Sequence, residues 1–463
     1  MSVTKVVIVG GGITGLTAAH HLQKNSPHLD ITLLEATDHL GGKIGTEQLN
    51  GFTLEWGPDC FLSRKPPGIT LCEELGLAGE LIGRNPHHAK TYVLRNGRLH
   101  RLPEGLTGLI PTNLEALENS TLLSQAAKER LAQEPTIPTE PPGKDESVAH
   151  FLTRRLGQET FENLVEPLMA GIYAGQAKQL SLAATFPQLR QLELKHGSLL
   201  GGLANQSGPT NDSGYPPFVS FPDGMERLVK RLVDCLTEVT ICRETAVTAI
   251  TKTAGGYRLS VNSNQLAVNS IDAPVVIVTT PAYISGRLLQ HLDPKLARLL
   301  AAIPYTSTAL VNLAYNETDV PELDGYGYVI PQVEGREALA CTWTSRKWPN
   351  RAPDGKLLLR LYIGRHGHPD VTNYDDAHLL TIAQNEIRET LGITARPLFH
   401  RIYRFPNAMP QYNLGHLERL AAIETRLAAH PGILLAGAAL RGVGIPDCIA
   451  SGEEAAERAG DFL

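Results

Sequence analysis

Three glycines at fixed spacing pose the first chemical question. Gly10, Gly12 and Gly15 fall in Gly10-Gly11-Gly12-Ile13-Thr14-Gly15, after the apolar run KVVIVG and at the start of ITGLTAAHHLQK. This spacing suits a loop that lays a pyrophosphate on the N-terminus of a helix. Gly10 permits the tight turn, and Gly12 leaves no side chain to block the phosphates. Gly15, with Ala19 one turn later, lets helix and strand pack closely. The free N–H groups and the dipole at Ile13 and Thr14 favour negative charge there. Glu35 ends the next apolar run, DITLLEA, 20 residues beyond Gly15. A carboxylate at that point, with Ala36 beside it, accepts ribose hydroxyls and repels a 2′-phosphate.

A second set of residues narrows the ligand. LGGKIGT, Leu40 to Thr46, offers the pair Gly41-Gly42 beside a cation, Lys43, as another close backbone approach to a pyrophosphate. That doublet favours FAD over NAD. Gly57-Pro58, followed by Asp59, makes a stiff turn expected under an isoalloxazine ring. Val247, in RETAVTAI, is expected to offer backbone to the adenine edge. Near the other end of the chain, GAALRGVGIPDCIASGEEAA repeats the order strand, glycine bend, helix. Pro446 suits a first helical turn, where its missing N–H costs nothing. The dipole of that helix would point positive charge at the flavin's pyrimidine edge. Ala438, Val443, Gly444 and Ile445 are the expected contacts. Ile445, Ile449, Gly452 and Ala456 form an inward stripe of helical spacing. Asp447 could bond ribityl hydroxyls or simply favour the helix start.

The elements that must hold these loops come from the rest of the chain. Its 463 residues predict two or three domains. Apolar content is 42% and charged content 19%, a globular composition with ample core. A net charge of -6 does not point to nucleic acid. No signal peptide opens the chain, and no run approaches the ~20 apolar residues that span a bilayer. A soluble cytoplasmic protein is expected. The six cysteines form no C-x-x-C pair, and the histidines share no metal spacing, so reduced thiols and no metal site are expected.

The expected fold class is α/β, with a Rossmann-type FAD-binding domain built from separated segments. That domain takes 1–66, 216–286 and 430–463. A strand-rich substrate domain takes 67–91 and 287–429, and a mainly helical insertion takes 92–215. Two stretches read as loops: QEPTIPTEPPGKDES from Gln133 to Ser147, and the polar run 205–217.

The glycine loop, Glu35 and LGGKIGT resemble the FAD superfamily of amine oxidases and phytoene desaturases. Further stretches, in order along nearly the whole chain, resemble the porphyrinogen oxidases of haem synthesis. They are EWGPDCFLSRKP, EPLMAGIYAGQAKQLSLAATFPQLRQLELKHGSLLGGL, FPDGMERL, CTWTSRKWPNRAPDGKLLLRLYIG, YNLGHLERL and LRGVGIPDCIASG. The resemblance implies FAD-dependent removal of six hydrogens from a porphyrinogen, with O2 as acceptor and hydrogen peroxide as by-product. It also implies a three-part architecture whose helical part docks on membrane in some relatives. Here LPEGLTGLIPTNLEAL, Leu102 to Leu117, is only mildly apolar, so at most peripheral contact is expected.

Lys43 and AKTYVLRNG look like the soluble bacterial type, which oxidises coproporphyrinogen III; protoporphyrinogen IX is the alternative substrate. The substrate-pairing arginine that eukaryotic members carry near Lys90 is not found. Propionate carboxylates need cations or backbone donors. Lys90, Arg95, Arg98 and Arg101 form one candidate stretch, which reads more readily as a solvated basic edge. AGIYAG is another: Gly171, Ala174 and Gly175 would let a flat macrocycle approach, with Tyr173 covering it, or would simply pack a helix end. No catalytic residue is identified, and oligomeric state is not indicated. More distant readings are another flavin amine oxidase or carotenoid desaturase, or a non-catalytic protein of this fold. Leu440 and Arg441, where an amine oxidase would carry a late aromatic cage, argue against the first.

Overall fold

A computed structural model describes residues 4–141, 143–204, 214–264 and 267–462. Strand β1, Lys5–Val9, is the middle of a five-stranded parallel sheet. Strand β2, Asp30–Leu34, flanks it on one side, with Val239–Cys242 beyond. Val275–Val278 and then Ile433–Leu435 lie on the other side. The register runs Ile31, Val6, Val275 across the three central strands. Both faces of β1 are covered, which is why KVVIV is apolar throughout rather than alternating. Val6 and Ile8 join a helical layer, and Val7 and Val9 join the opposite layer.

The helical layer contains α1, Ile13–Asn25, and the closing helix, Ile445–Ala459. The two pack along their length through Leu16, Ile449, Gly452 and Ala456. A Cβ on Gly452 would sit 2.4 Å from the Thr14 carbonyl oxygen, so the two backbones touch there. The opposite layer is an antiparallel sheet of Thr245–Thr253, Gly256–Ser263 and Ser270–Ala273.

A seven-stranded sheet stands apart. From one edge it runs Phe399–Pro410, Tyr305–Asn316, Lys356–Ile363, Ala338–Trp343, Gly327–Val329, Tyr92–Arg95, Arg98–Arg101. Side chains alternate across it. Val311, Leu313, Leu359 and Leu361 pack under the helix Asp376–Leu391. The intervening Asn312, Arg360 and Tyr362 therefore face the other way. A third core is helical, from Leu114–Glu118 to Leu199–Ala204, and closes on the buried pair Arg155–Glu134.

The boundaries drawn from sequence cut across these cores. The insertion was expected to be helical from residue 92, yet it opens with strands. Asn96 and Gly97 both have positive φ, 50° and 71°. They turn YVLR-NG-RLHR into a hairpin that extends the seven-stranded sheet. The helix Pro66–Glu74, placed with the substrate segments, packs through Ile69, Leu71 and Cys72 into the core of α1 and the closing helix. Pro294–Ala301 and His416–Leu427 likewise pack against the parallel sheet. Residues 205–213 of the expected polar loop lie outside the described residues. Among those described, no helix is long and apolar enough to cross a membrane. All six cysteines are unpaired.

Candidate active site

The first glycine loop emerges at the carboxyl edge of the parallel sheet. Gly11 N–H donates to Glu35 Oε2 at 2.7 Å, and Thr37 N–H to Oε1 at 2.9 Å, so the end of β2 is tied to the loop. Gly41 N–H donates to the Gly11 carbonyl at 2.8 Å. This sets Gly12 and Gly42 face to face. Gly12 has ordinary extended backbone, φ -72° and ψ 175°, and a Cβ there would meet only Gly42 Cα at 3.9 Å. Neither strain nor protein contact requires glycine at this point; an open cradle does. Around it, the N–H groups of Ile13, Thr14 and Gly15 have no acceptor among the described residues.

Lys43 stands in the same recess. It is solvent-accessible, yet protein walls it closely enough that desolvation lowers its pKa, with Cys448 opposing. Among the described residues it has no carboxylate partner. An unpaired ammonium beside orphaned amides suits a bound anion. A Cβ on Gly57 would lie 2.0 Å from the Lys43 carbonyl oxygen, so the Gly57-Pro58 turn rests on that backbone. Arg360 holds the turn from the other side, donating to the Gly57 carbonyl.

Asp59 departs from expectation. Its carboxylate Oδ2 accepts from Lys347 Nζ at 2.8 Å and Trp348 Nε1 at 2.9 Å. Burial pushes its pKa up, but the charges of Lys347 and Arg360 hold it well below the usual carboxylate range. The side chain is a buried counter-ion and not a group free for a cofactor. Cys60 beside it is pushed up to about 12 by burial and the Asp59 charge, so it stays a thiol.

The second glycine bend lies across the recess. Gly442 has φ 130° and its N–H donates to Tyr412 Oη at 2.7 Å. Tyr412 Oη donates in turn to the Ala438 carbonyl at 2.5 Å. Gly444 N–H donates to Asp447 Oδ2 at 3.2 Å, and Lys65 Nζ reaches both Asp447 oxygens at 2.6 and 2.7 Å. Asp447 thus caps the helix start, one of the two roles left open for it. Alternate amides are held, while Val443 and Ile445 N–H have no acceptor among the described residues. Val247 is half-buried on the strand Thr245–Thr253, whose Thr245 N–H bonds the Glu35 carbonyl at 2.8 Å, and Ala36 is exposed nearby.

The substrate candidates separate. Lys90 is paired with Asp324, Arg95 with Glu159 and Arg101 with Glu104; Arg98 is exposed. The basic stretch is therefore largely neutralised on the far edge of the seven-stranded sheet. The helix Glu166–Tyr173 ends instead at the inner face of that sheet, where Ala170 and Ala174 meet Leu339 and Tyr362. Gly171 opens on free space. Tyr173 is buried, edge-on to Phe186 and 6.0 Å from the Tyr412 ring. Burial raises its pKa, and the Asp447 charge adds to this, which places Tyr173 near the second glycine bend. A Cβ on Gly175 would lie 2.4 Å from Gln411 Oε1.

Tyr412, His416, Arg360 and Lys347 were not identified from sequence as part of the site. No local signal marks Tyr412 and His416 as a pair, because Tyr412 lies in irregular chain ahead of the helix His416–Leu427.

Orphaned amides at two helix starts, an unpaired cation and a bare glycine cradle fit a dinucleotide carrying a flavin. The family described as flavin containing amine oxidoreductase matches residues 13–459, and the chain belongs to it. The protein is a flavin-dependent oxidoreductase, with FAD as cofactor. Within that class its similarities are narrower. It is 37% identical to the coproporphyrinogen III oxidase of Bacillus subtilis strain 168, over 99% of this chain and 98% of that protein. It is 30% identical to protoporphyrinogen oxidase 1, chloroplastic, of Arabidopsis thaliana, over 99% of this chain and 88% of that one. A solved putative protoporphyrinogen oxidase from Exiguobacterium sp. 255-15 superimposes with a TM-score of 0.87 at 35% identity, covering 99% and 98% of the two chains.

Proposed function

We propose that the protein oxidises coproporphyrinogen III to coproporphyrin III, removing six hydrogens and passing them to O2 as hydrogen peroxide. The observation that carries this reading is the identity to the Bacillus subtilis enzyme over nearly the full length of both chains. Protoporphyrinogen IX is the second reading, favoured by the likeness to the Exiguobacterium structure. We place the protein in the cytoplasm, with no more than peripheral membrane contact.

The residues divide the work as follows. Ile13, Thr14 and Gly15 N–H and the Lys43 ammonium would hold the pyrophosphate, over the bare Gly12 and Gly42. Gly10 and Gly11 shape that turn. Glu35, with Ala36, would hold the ribose, and Val247 the adenine edge. Gly57 and Pro58 would underlie the ring. Ala438, Val443, Gly444 and Ile445 would meet its pyrimidine end. Bound there, FAD supplies a hydride acceptor. The chain supplies orientation and dryness. Gly171, bare and exposed, would let a flat macrocycle approach the backbone beside the packed cluster of Ala170, Ala174, Leu339 and Tyr362. With Lys90 neutralised by Asp324, the propionates would be met chiefly by backbone donors and solvent.

One purified, yellow preparation decides the substrate. kcat/KM is compared for coproporphyrinogen III and protoporphyrinogen IX. A preference for the former supports the proposal; a tenfold preference for the latter overturns it.

A further inference from the structure

The open amides of Val443 and Ile445 are useful only if the bend that carries them is rigid. That bend, Gly437 to Gly442, takes one bond from its own helix, Gly437 N–H to Ser451 Oγ at 2.9 Å, and Arg441 pairs with Glu424 at its rim. Its middle is held from outside by a strap, Gln411 to His416. Tyr412 Oη bonds the bend twice, to Ala438 O at 2.5 Å and from Gly442 N at 2.7 Å. His416 Nε2 bonds it a third time, at the Leu440 carbonyl, 2.9 Å away. A carbonyl can only accept, so Nε2 carries the proton, and Nδ1 is buried with no partner among the described residues. The imidazole lies flat on the Tyr412 ring, with centroids 4.3 Å apart and planes 16° apart. Each ring fixes the other.

The strap is itself anchored in the helical core. Ser181 N–H donates to the Tyr412 carbonyl at 2.8 Å, and Leu414 N–H to the Gln179 carbonyl at 2.8 Å. Gln411 Nε2 donates to the Tyr173 carbonyl at 2.8 Å. One continuous set of bonds therefore runs from the end of the helix Glu166–Tyr173 to the bend.

We infer that Tyr412 and His416 are positioning residues for the flavin: their stacked rings aim the Val443 and Ile445 N–H groups at its pyrimidine edge. The inference rests on the FAD reading and not on which porphyrinogen is oxidised. Two-electron reduction places negative charge on that edge, so well-aimed donors bind the reduced cofactor more tightly than the oxidised one. Loosening the bend weakens the reduced form preferentially.

The test is the two-electron midpoint potential of the holoenzyme, read alongside FAD dissociation from it. Tyr412→Phe keeps the ring and the stack but removes both bonds to the bend. It is expected to bind reduced FAD about tenfold less tightly relative to oxidised FAD, a fall in potential of about 30 mV. His416→Leu removes the third bond and is expected to act in the same direction. His416→Gln retains a donor and is expected to restore most of the loss. A change below about twofold, about 9 mV, in both Tyr412→Phe and His416→Leu overturns the inference. So does a potential equally lowered by His416→Gln and His416→Leu, because that would assign the effect to packing. A wild-type protein that binds no FAD defeats the cofactor reading itself, a distinct outcome.

Discussion

Lys65 clasps Asp447 through both carboxylate oxygens, at 2.6 and 2.7 Å, across 382 residues of chain. The pair joins the segment after the Gly57-Pro58 turn to the first turn of the closing helix. Asp447 is also the acceptor for Gly444 N–H. The ion pair is half-exposed, so its worth to stability is about 0.2–1 kcal/mol. Its worth to geometry is larger, because it ties the segment after the Gly57-Pro58 turn to the helix start beside Val443 and Ile445. Lys65→Met should lower unfolding stability by no more than about 1 kcal/mol. It should also speed FAD release severalfold, measured by recovery of flavin fluorescence. A change in stability with no change in release would show the pair to be ordinary surface electrostatics.

Asp59 and Lys347 behave differently, because both are largely buried. Burial lowers the Lys347 pKa, but the Asp59 charge raises it well above the usual lysine value. Removing one partner leaves an uncompensated charge. Asp59→Asn should cost about 3–5 kcal/mol in urea unfolding. Pairing it with Lys347→Met should recover a large part, because the stranded ammonium is gone. Equal losses in the single and double variants would contradict this.

The pH dependence follows from His416. Burial lowers its pKa below 6.5, with the Leu440 carbonyl opposing. A base whose folded pKa is depressed binds fewer protons when folded. Its contribution is therefore full above the unfolded value of 6.5 and is lost as pH falls below that value. His20 and His366 shift the same way. Urea midpoints should fall between pH 7.5 and 5.5, and His416→Gln should flatten part of that fall. A variant with the full wild-type slope would show that His416 takes no part.

Gly12 offers a clean test of the cradle. Its backbone suits any residue, and the protein leaves room for a methyl group. Gly12→Ala should fold with unchanged thermal stability as apoprotein, yet bind FAD at least tenfold more weakly in a fluorescence titration. Wild-type FAD affinity in this variant would mean that the pyrophosphate does not cross Gly12.

The parts legible in the sequence were those whose meaning is local. Gly10 to Gly15 and Glu35 are separated by one helix and one strand, so spacing alone conveys their geometry. Gly444 and Pro446 mark a helix start by residue type. The parts that misled depend on distant partners. An acidic residue after a Gly-Pro turn reads as a cofactor ligand until Lys347 and Trp348 arrive beside it. Lys90 and Arg95 read as free cations because Asp324 and Glu159 are remote in sequence. The hairpin at Asn96-Gly97 did carry a local signal, and the helical pattern further along obscured it. Tyr412 acts entirely through tertiary contacts, with Ala438 and Gly442 on one side and Ser181 on the other.

The central parallel sheet has a consequence for the protein's birth. β1 leaves the ribosome well ahead of the sheet's far edge, Ile433–Leu435. At about 5–20 residues per second, roughly 20 to 85 s separate them. Throughout that interval the nascent chain carries an unfinished sheet: Val6 and Ile8 lack the closing helix that will cover them. A ribosome that stalls before residue 430 releases a product missing a sheet edge, a helix and the second glycine bend at once. The vitamin-derived cofactor can therefore report that this helix has been made, because the second glycine bend is in place only once Ile445–Ala459 has folded.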